Sequence, residues 1–563
     1  MIRRPPRSTL DRSSAASDVY KRQSVGTGAP LQATEKEKKG SHHMNTTEFL
    51  TVTAAIVPDR VALVFDDKRI TYGELANRVS RLANAMSELG VGSGDRVAVM
   101  QVNCNEHIES YFACATLDAV FVPVNFRARA EELTFMLNDS GTKAIIAGQR
   151  YHDMINTIRP DLTTIEHVIG LEQGGEGIHS YDDIVGNASD DERFPEYQVD
   201  DLSFIMFTAG TTGTPKGVML SHDSFTSYIL ANVDPVDMDE EEKNILTVPL
   251  HHIAGMQAVM AAIYGGRTII LQRQFDEEGW MALVQEENAN RAMMVPTMLK
   301  RLMDHDSFGN YDLTSLDVIT YGAAPMPLPV IRQAIKEFPG TRFINAFGQT
   351  ETASTITMLP PEDHMLDESD PDFDKKLQRL ASIGRPLPDV EVKIVNEDGE
   401  DVPTGESGEI VARGQRLMKG YWNREEATRE TLRGGWLYTG DLGYFDPDGY
   451  IFLSGRAKDF IKRGGEMIAP EEVEQILMAH PSVDEAAIIG IEDIEWGERV
   501  RAVVVIRPNM ELTQQELIDH CRPLMAGFKR PEHVVFTDEL PRNPMGKVLK
   551  RVLREQYPEP ITD

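Results

Sequence analysis

From residue 70 onward the apolar positions switch repeatedly between a helical and a strand period. In TYGELANRVSRLANAMSELG, residues 71–90, the residues Leu75, Val79, Leu82 and Met86 recur at helical spacing. Thr71 and Glu74 carry a capping-box signature at its start, and Gly90 is placed to end it. A strand, DRVAVM, is expected next. The helix-like NEHIESYFACATLDA and the apolar run VFVPVNF follow, and short apolar runs recur as IIAG, VIG, LSFIMF, TIIL, AMMVP and VIT. Such alternation predicts parallel sheets covered by helices, an α/β fold. The stretch AGMQAVMAAIYGGRTIIL, interrupted by Gln257, two glycines and Arg267, reads as a core helix and a strand, not a membrane span.

After about residue 384 the period shortens. VEVKIVN and GEIVAR are separated by the turns EDGED, PTGESG and DPDGY, which predicts a small β-rich subdomain. Beyond RAKDFIKRGGE, PEEVEQILMAH and ELIDHCRPLM suit helices while AAIIGI and RAVVVI suit strands. This hundred-residue end is long enough for a separate domain.

Composition narrows the function classes. At 563 residues several cores are expected, and 41% hydrophobic with 26% charged residues is ordinary for a globular protein. Cys104, Cys114 and Cys521 show no CxxC spacing, so a disulfide framework or cysteine zinc site is not expected, and a reducing, cytoplasmic setting fits. Residues 1–43 hold nine Lys/Arg against four Asp/Glu, leaving the remainder more acidic than the overall −32. That leader lacks the apolar core of a secretory signal; it reads as adapter-like sequence with a tag scar, GSHHM, and Met44 is the expected native start. An acidic body disfavours nucleic acid and anionic membrane surfaces. DMDEEE and EDHMLDESDPDFD read as solvated loops.

One stretch concentrates chemistry: TAGTTGTPKG, residues 208–217, directly after LSFIMF. Its glycines open the backbone to an anion, its hydroxyls add donors and Lys216 adds charge, as a triphosphate requires. It is not a Walker A loop, because Pro215 precedes the lysine and Gly217 follows it. Alone, it equally describes a Gly/Thr hairpin with an exposed lysine.

Five further segments follow in order: PLHHIAG (249–255), NAFGQTET (345–352), YTGDLG (438–443), GRAKDFIKRGGE (455–466) and PRNPMGK (541–547). Together with TAGTTGTPKG they resemble the adenylate-forming superfamily of acyl-CoA synthetases, peptide-synthetase adenylation domains and beetle-type luciferases, from about Met44 to about residue 555. The resemblance implies a large N-terminal domain (44–455) of two αβ sheets plus a small β-barrel. It also implies a small mobile α+β C-terminal domain (456–563) hinged near Lys458. ATP, Mg²⁺ and coenzyme A are the implied cofactor and co-substrates, used in two half-reactions.

The resemblance also distributes roles. Thr208, Thr211, Thr212, Gly213 and Lys216 cradle the phosphates, although Ala209 stands where many relatives carry serine. Glu351 helps hold Mg²⁺ and Thr350 reaches the α-phosphate; TET also suits helix capping. Asp441 binds the ribose with Arg456, while Gly322, Ala323 and Asn345 surround adenine and Lys462 contacts the nucleotide. Lys547 bridges the carboxylate and α-phosphate in the first half-reaction. Gly464 and Gly465 admit the pantetheine arm in the second, with Arg463, Lys529 and Arg530 as candidates for anionic CoA.

His252 flanks the bound carboxylate, its alternative being a core histidine, and His251 stands where many relatives have an aromatic. Gly255, Met256, Ala323, Ala324, Ala346 and Gly348 line the acyl pocket, and their small or apolar character suits an uncharged tail. The expected activity is an AMP-forming acid–CoA ligase acting on medium- or long-chain fatty acids, with an alicyclic or aryl acid as the alternative. An amino-acid-activating domain lacks its aspartate near PLHHIAG. A luciferase-like oxygenase, disfavoured by the terminal ITD, and a non-catalytic nucleotide-binding regulator are remote alternatives. A homodimer is compatible with this reading; nucleic acid is not an expected partner.

Overall fold

The computed structural model describes residues 44–196, 201–208, 215–456, 459–463, 466–493, 496–543 and 546–559. The leader and the expectations on Ala209, Thr211, Thr212, Gly213, Lys458, Gly464 and Gly465 lie outside the described residues.

The chain divides into two compact units. The first runs through Gln274 and takes in a returning segment, Met418–Arg424; the second comprises Phe275–Leu417 and Glu425–Asp563. Folding of the first follows the pattern of residues 70–208. The helix Tyr72–Glu88 starts at Thr71, whose side chain accepts from the Glu74 amide while Glu74 returns the bond. Its buried stripe is Leu75, Val79, Leu82 and Met86. Arg96–Met100, Val120–Pro123 and Thr142–Ala147 pair in parallel, as near-continuous apolar strands do when covered on both faces. The sheet continues through Leu202–Thr208 to Lys216–Ser221 and ends on Gly420–Tyr421 of the returning segment. AGMQAVMAAIYGGRTIIL is a helix, Ile253–Tyr264, and a strand, Thr268–Leu271, as expected.

In the second unit, Arg291–Met294, Val318–Gly322 and Arg342–Gln349 pair in parallel, and Ser354–Leu359 then reverses direction. The short-period region after residue 384 is an antiparallel sheet in which Glu391–Val395, Gly408–Arg413 and Trp436–Phe445 are neighbours and Ile451–Arg456 pairs with the last. The terminal region centres on the antiparallel pair Val483–Asp493 and Gly497–Ile506. The helices Pro470–Met478 and Gln514–Cys521 cover it through Val473, Leu477 and Leu517. The three cysteines are buried and unbridged. Among the described residues no helix is long and apolar enough to cross a membrane.

Candidate active site

In the first unit the hydroxyl-rich segment is flanked by two strands rather than by a strand and a helix. Leu202–Thr208 and Lys216–Ser221 are antiparallel, with Thr208 opposite Lys216 and Phe207 opposite Gly217. The Thr208 hydroxyl donates across the base of the turn to the Lys216 carbonyl at 3.5 Å. The flanking strands thus pair as the hairpin that the sequence allowed. Gly217 is required for packing, since a Cβ there would lie 2.7 Å from Ile205 Cγ2 and 3.3 Å from Trp422 Cβ.

The PLHHIAG segment builds a helix start. His252 has extended backbone, and its carbonyl accepts from the amides of Gly255 and Met256. Any Cβ on Gly255 would meet the Pro249 carbonyl at 2.5 Å, and Met256 is fully buried. The His251 and His252 rings lie 4.3 Å apart, and Phe126 meets His251 edge-on at 5.4 Å. Both imidazoles keep an enclosed Nε2 without a protein partner. Burial pushes His252 down to about 4 and holds His251 well below the ordinary imidazole value, with the His252 ring adding to the latter. Two neutral imidazoles result, each offering one donor and one acceptor nitrogen.

In the second unit Gly322 lies opposite Ala346, so close that a Cβ would fall 2.1 Å from the Ala346 carbonyl oxygen. Ala323 follows in the left-handed region at φ +65° and is exposed, and Ala324 is half-buried. A non-glycine residue held there is strained, a feature that gathers at functional turns. Asn345 donates its amide to the Ser382 carbonyl at 3.1 Å, which fixes the side chain. Gly348 is confined too, its missing Cβ 1.7 Å from the Ser354 carbonyl.

Thr350–Thr352 form a single tight turn. Its closing hydroxyl is Thr352, which accepts from the Gln349 amide at 2.9 Å and donates to the Ser354 carbonyl at 2.6 Å. Capping therefore falls to the third residue of the motif, while Thr350 and Glu351 are half-buried on the turn. Gln349 donates to the Thr439 carbonyl at 3.3 Å, joining this turn to the strand that bears Asp441. Asp441 is 6% exposed and its amide donates to the Thr439 hydroxyl at 3.1 Å. Directly across the ladder stands the Arg456 backbone. Sequence reasoning passed over Gln349 and Thr439, although both lie inside the motifs it used.

The Lys547 loop belongs to the same unit. Asn543 clamps it, its side chain accepting from the Lys547 amide at 2.8 Å and its amide donating to the Lys547 carbonyl at 2.9 Å. Gly546, at φ +74°, faces the helix Pro296–Met303, where a Cβ would sit 2.3 Å from Thr297 Oγ1. One turn along that helix, Lys300 pairs with Asp484 of the terminal sheet at 2.8 Å. Lys462 pairs through its backbone with Met467. Of the basic CoA candidates, Arg463 binds Glu532 and the Phe528 carbonyl, and Lys529 binds Glu472. An incoming anion would have to take over those cations.

Among the described residues no three His, Cys, Asp or Glu side chains form a metal-binding group. One half-buried carboxylate, Glu351, suits Mg²⁺, which commonly takes few protein ligands and completes its shell with water and substrate phosphate.

Residues 50–422 match the AMP-binding enzyme family and residues 472–547 match the AMP-binding enzyme C-terminal domain. The chain is 35% identical over 494 residues to the long-chain-fatty-acid–CoA ligase FadD13 of Mycobacterium tuberculosis H37Rv, covering 87% of this chain and 94% of that protein. It is equally 35% identical over 507 residues to a feruloyl-CoA synthase of Amycolatopsis sp, covering 90% and 97%. The ATP-bound crystal structure of MatB from Rhodopseudomonas palustris aligns with a TM-score of 0.81 at 30% identity, covering 92% of this chain and 99% of that one. Two ordered domain matches and full-length relatives place the chain in the AMP-binding enzyme family, the adenylate-forming superfamily, as an acid–thiol ligase.

Proposed function

We propose that the enzyme couples a hydrophobic monocarboxylic acid to coenzyme A at the expense of ATP, with medium- and long-chain fatty acids as its first substrates. In the first step a carboxylate oxygen bonds to the α-phosphorus and the bond to pyrophosphate breaks. In the second, the thiol sulfur attacks the acyl carbon, AMP departs with the shared oxygen, and the thiol proton passes to solvent. Both steps demand charge neutralisation and alignment more than covalent help. Lys547 suits the first by spanning two anions, and Asp441 suits the ribose as a two-oxygen acceptor. Mg²⁺, held by Glu351 and the substrate, would neutralise phosphate charge. Neutral His252 can donate to the carboxylate without competing for charge, and Thr208 and Lys216 would hold the outer phosphates.

One observation supports the reading above the rest: Gln349 bonds to the Thr439 carbonyl, drawing the TET turn against the Asp441 strand within the unit that also holds the Lys547 loop. A domain boundary near residue 455 with a hinge at Lys458 belongs to the same proposal. A second reading, an aryl acid, is favoured by the aromatic wall of Phe126, His251 and His252 and by the equal similarity to a feruloyl-CoA synthase. Pyrophosphate release and CoA-dependent AMP formation should be measured over straight-chain acids from medium to long and over ferulate and benzoate. Highest kcat/KM on straight chains is expected. A preference for ferulate would move the assignment to the second reading, and no pyrophosphate with any acid would overturn ligase function.

A further inference from the structure

The segment Met418–Arg424 leaves the second unit's sequence to complete the first unit's sheet. It lies antiparallel beside the strand that begins with Lys216, with Tyr421 opposite Val218 and Gly420 opposite Met219. Two further backbone bonds clip it there: Lys419 donates to the Met219 carbonyl at 2.9 Å and Trp422 to the Gly217 carbonyl at 2.7 Å. Its far end is anchored on Asp139. The Trp422 indole donates to the Asp139 carbonyl at 2.8 Å, and Arg424 pairs with the Asp139 carboxylate at 3.2 Å. Gly217 admits this approach because any Cβ would press on Ile205 and Trp422. The strap therefore has little freedom, and it brings one aromatic ring to the hairpin: the Lys216 ammonium lies 5.0 Å from the Tyr421 ring centroid. Tyr421 is 8% exposed, so its ring is fixed while the lysine is half-buried.

We infer that Tyr421 is a positioning residue for ATP binding: its ring face holds the Lys216 ammonium at the mouth of the hairpin by a cation–π contact. The inference rests on the reading of residues 208–217 as the phosphate-binding loop. A lysine on a four-carbon stem samples many rotamers, and an anion that captures it must order them. A fixed ring restricts the ammonium beforehand, so less ordering remains when phosphate arrives. Tyr421 touches no reacting atom in this scheme; it acts through Lys216.

The test uses the full chain with Phe and then singly, doubly and triply fluorinated phenylalanines at position 421. Fluorination drains the ring's negative face while nearly preserving its shape. ATP affinity by calorimetry is expected to weaken stepwise, by about threefold to tenfold across the series. The melting temperature should stay level, and the steps should vanish in a Lys216→Met background, as a coupled pair requires. A flat or strengthening series in the parent background overturns the inference, even if Tyr421→Leu lowers stability, because packing alone would then explain the tyrosine. Normal AMP formation alongside a flat series overturns this inference alone, whereas absent ATP binding and absent AMP formation in the unaltered chain overturn the ligase reading with it.

Discussion

At the scale of single residues, small side chains carry meaning that their chemistry does not announce. Gly322 and Gly348 are glycines whose missing Cβ atoms would strike backbone carbonyls, and the loop beyond Gly322 turns through an alanine at positive φ. The TET turn ends likewise, with Ala353 at φ +48° and Ser354 at φ +80°. Gly322→Ala should therefore push its strand from Ala346 and misplace the Ala323 loop. The expected result is a fall in adenylate formation of at least tenfold with a destabilisation of about 1–3 kcal/mol, read by pyrophosphate release and thermal melting. An unchanged rate would mean that the loop tolerates displacement and does not frame the nucleotide. Lys547→Ala addresses chemistry directly. Pyrophosphate release should drop by about 10²-fold or more, as when one preorganised charge donor is lost, while thioester formation from a supplied acyl-adenylate should survive. Equal loss in both steps would contradict a role confined to the first. The motifs that carry the candidate residues were legible in the sequence because they are short and ordered. The reasons for Gly348 and Gly255 were not, because a steric requirement set by Ser354 or Pro249 has no signature in spacing.

At the scale of elements, the sequence forecast those whose cause is local. Thr71 and Glu74 announced their helix, and the alternation of helical and strand periods announced parallel pairing. The hairpin at the phosphate segment was one of two readings the sequence left open, although KGVMLS was not among the strands it forecast. The strap at 418–424 was invisible, because GYW is too short to show a strand period and its neighbour is distant in sequence. Such an element also explains how the Lys547 loop is held. Asn543 closes it, Gly546 lets it approach Thr297, and the Lys300–Asp484 pair lies close by on the same helix. Gly546→Val should force the loop off that helix, because the β-branched residue is strained at φ +74° and its Cβ would overlap Thr297. A rate loss in the first half-reaction is expected to exceed any loss in the second. Restoration of part of that loss by a companion Thr297→Gly would confirm the contact, and its failure would refute it.

For the whole molecule, two opposing charge effects set the response to pH. The formal charge of −32 at pH 7 makes the folded chain repel itself, and acidification toward the sequence pI near 4.9 relieves that repulsion. Buried histidines work the other way. Burial pushes His107 down to about 3 and His222 and His364 to about 4, against about 6.5 for an unfolded imidazole. As pH falls through 6.5, the unfolded chain takes up protons that the folded chain refuses, so stability present above that pH is lost progressively toward pH 4. Salt separates the two effects, because it screens surface repulsion and leaves the buried imidazoles untouched. At high salt the melting temperature should therefore fall steadily from pH 7 to pH 5. His107 provides the sharper test, being fully buried with neither ring nitrogen bonded to protein and Phe121 edge-on at 5.4 Å. His107→Leu should raise stability at pH 7 by about 1–3 kcal/mol, since two unsatisfied polar atoms are replaced by apolar ones, and it should flatten the acid limb. A destabilised variant with an unchanged pH slope would show instead that the imidazole is satisfied by buried water and that the acid sensitivity arises elsewhere.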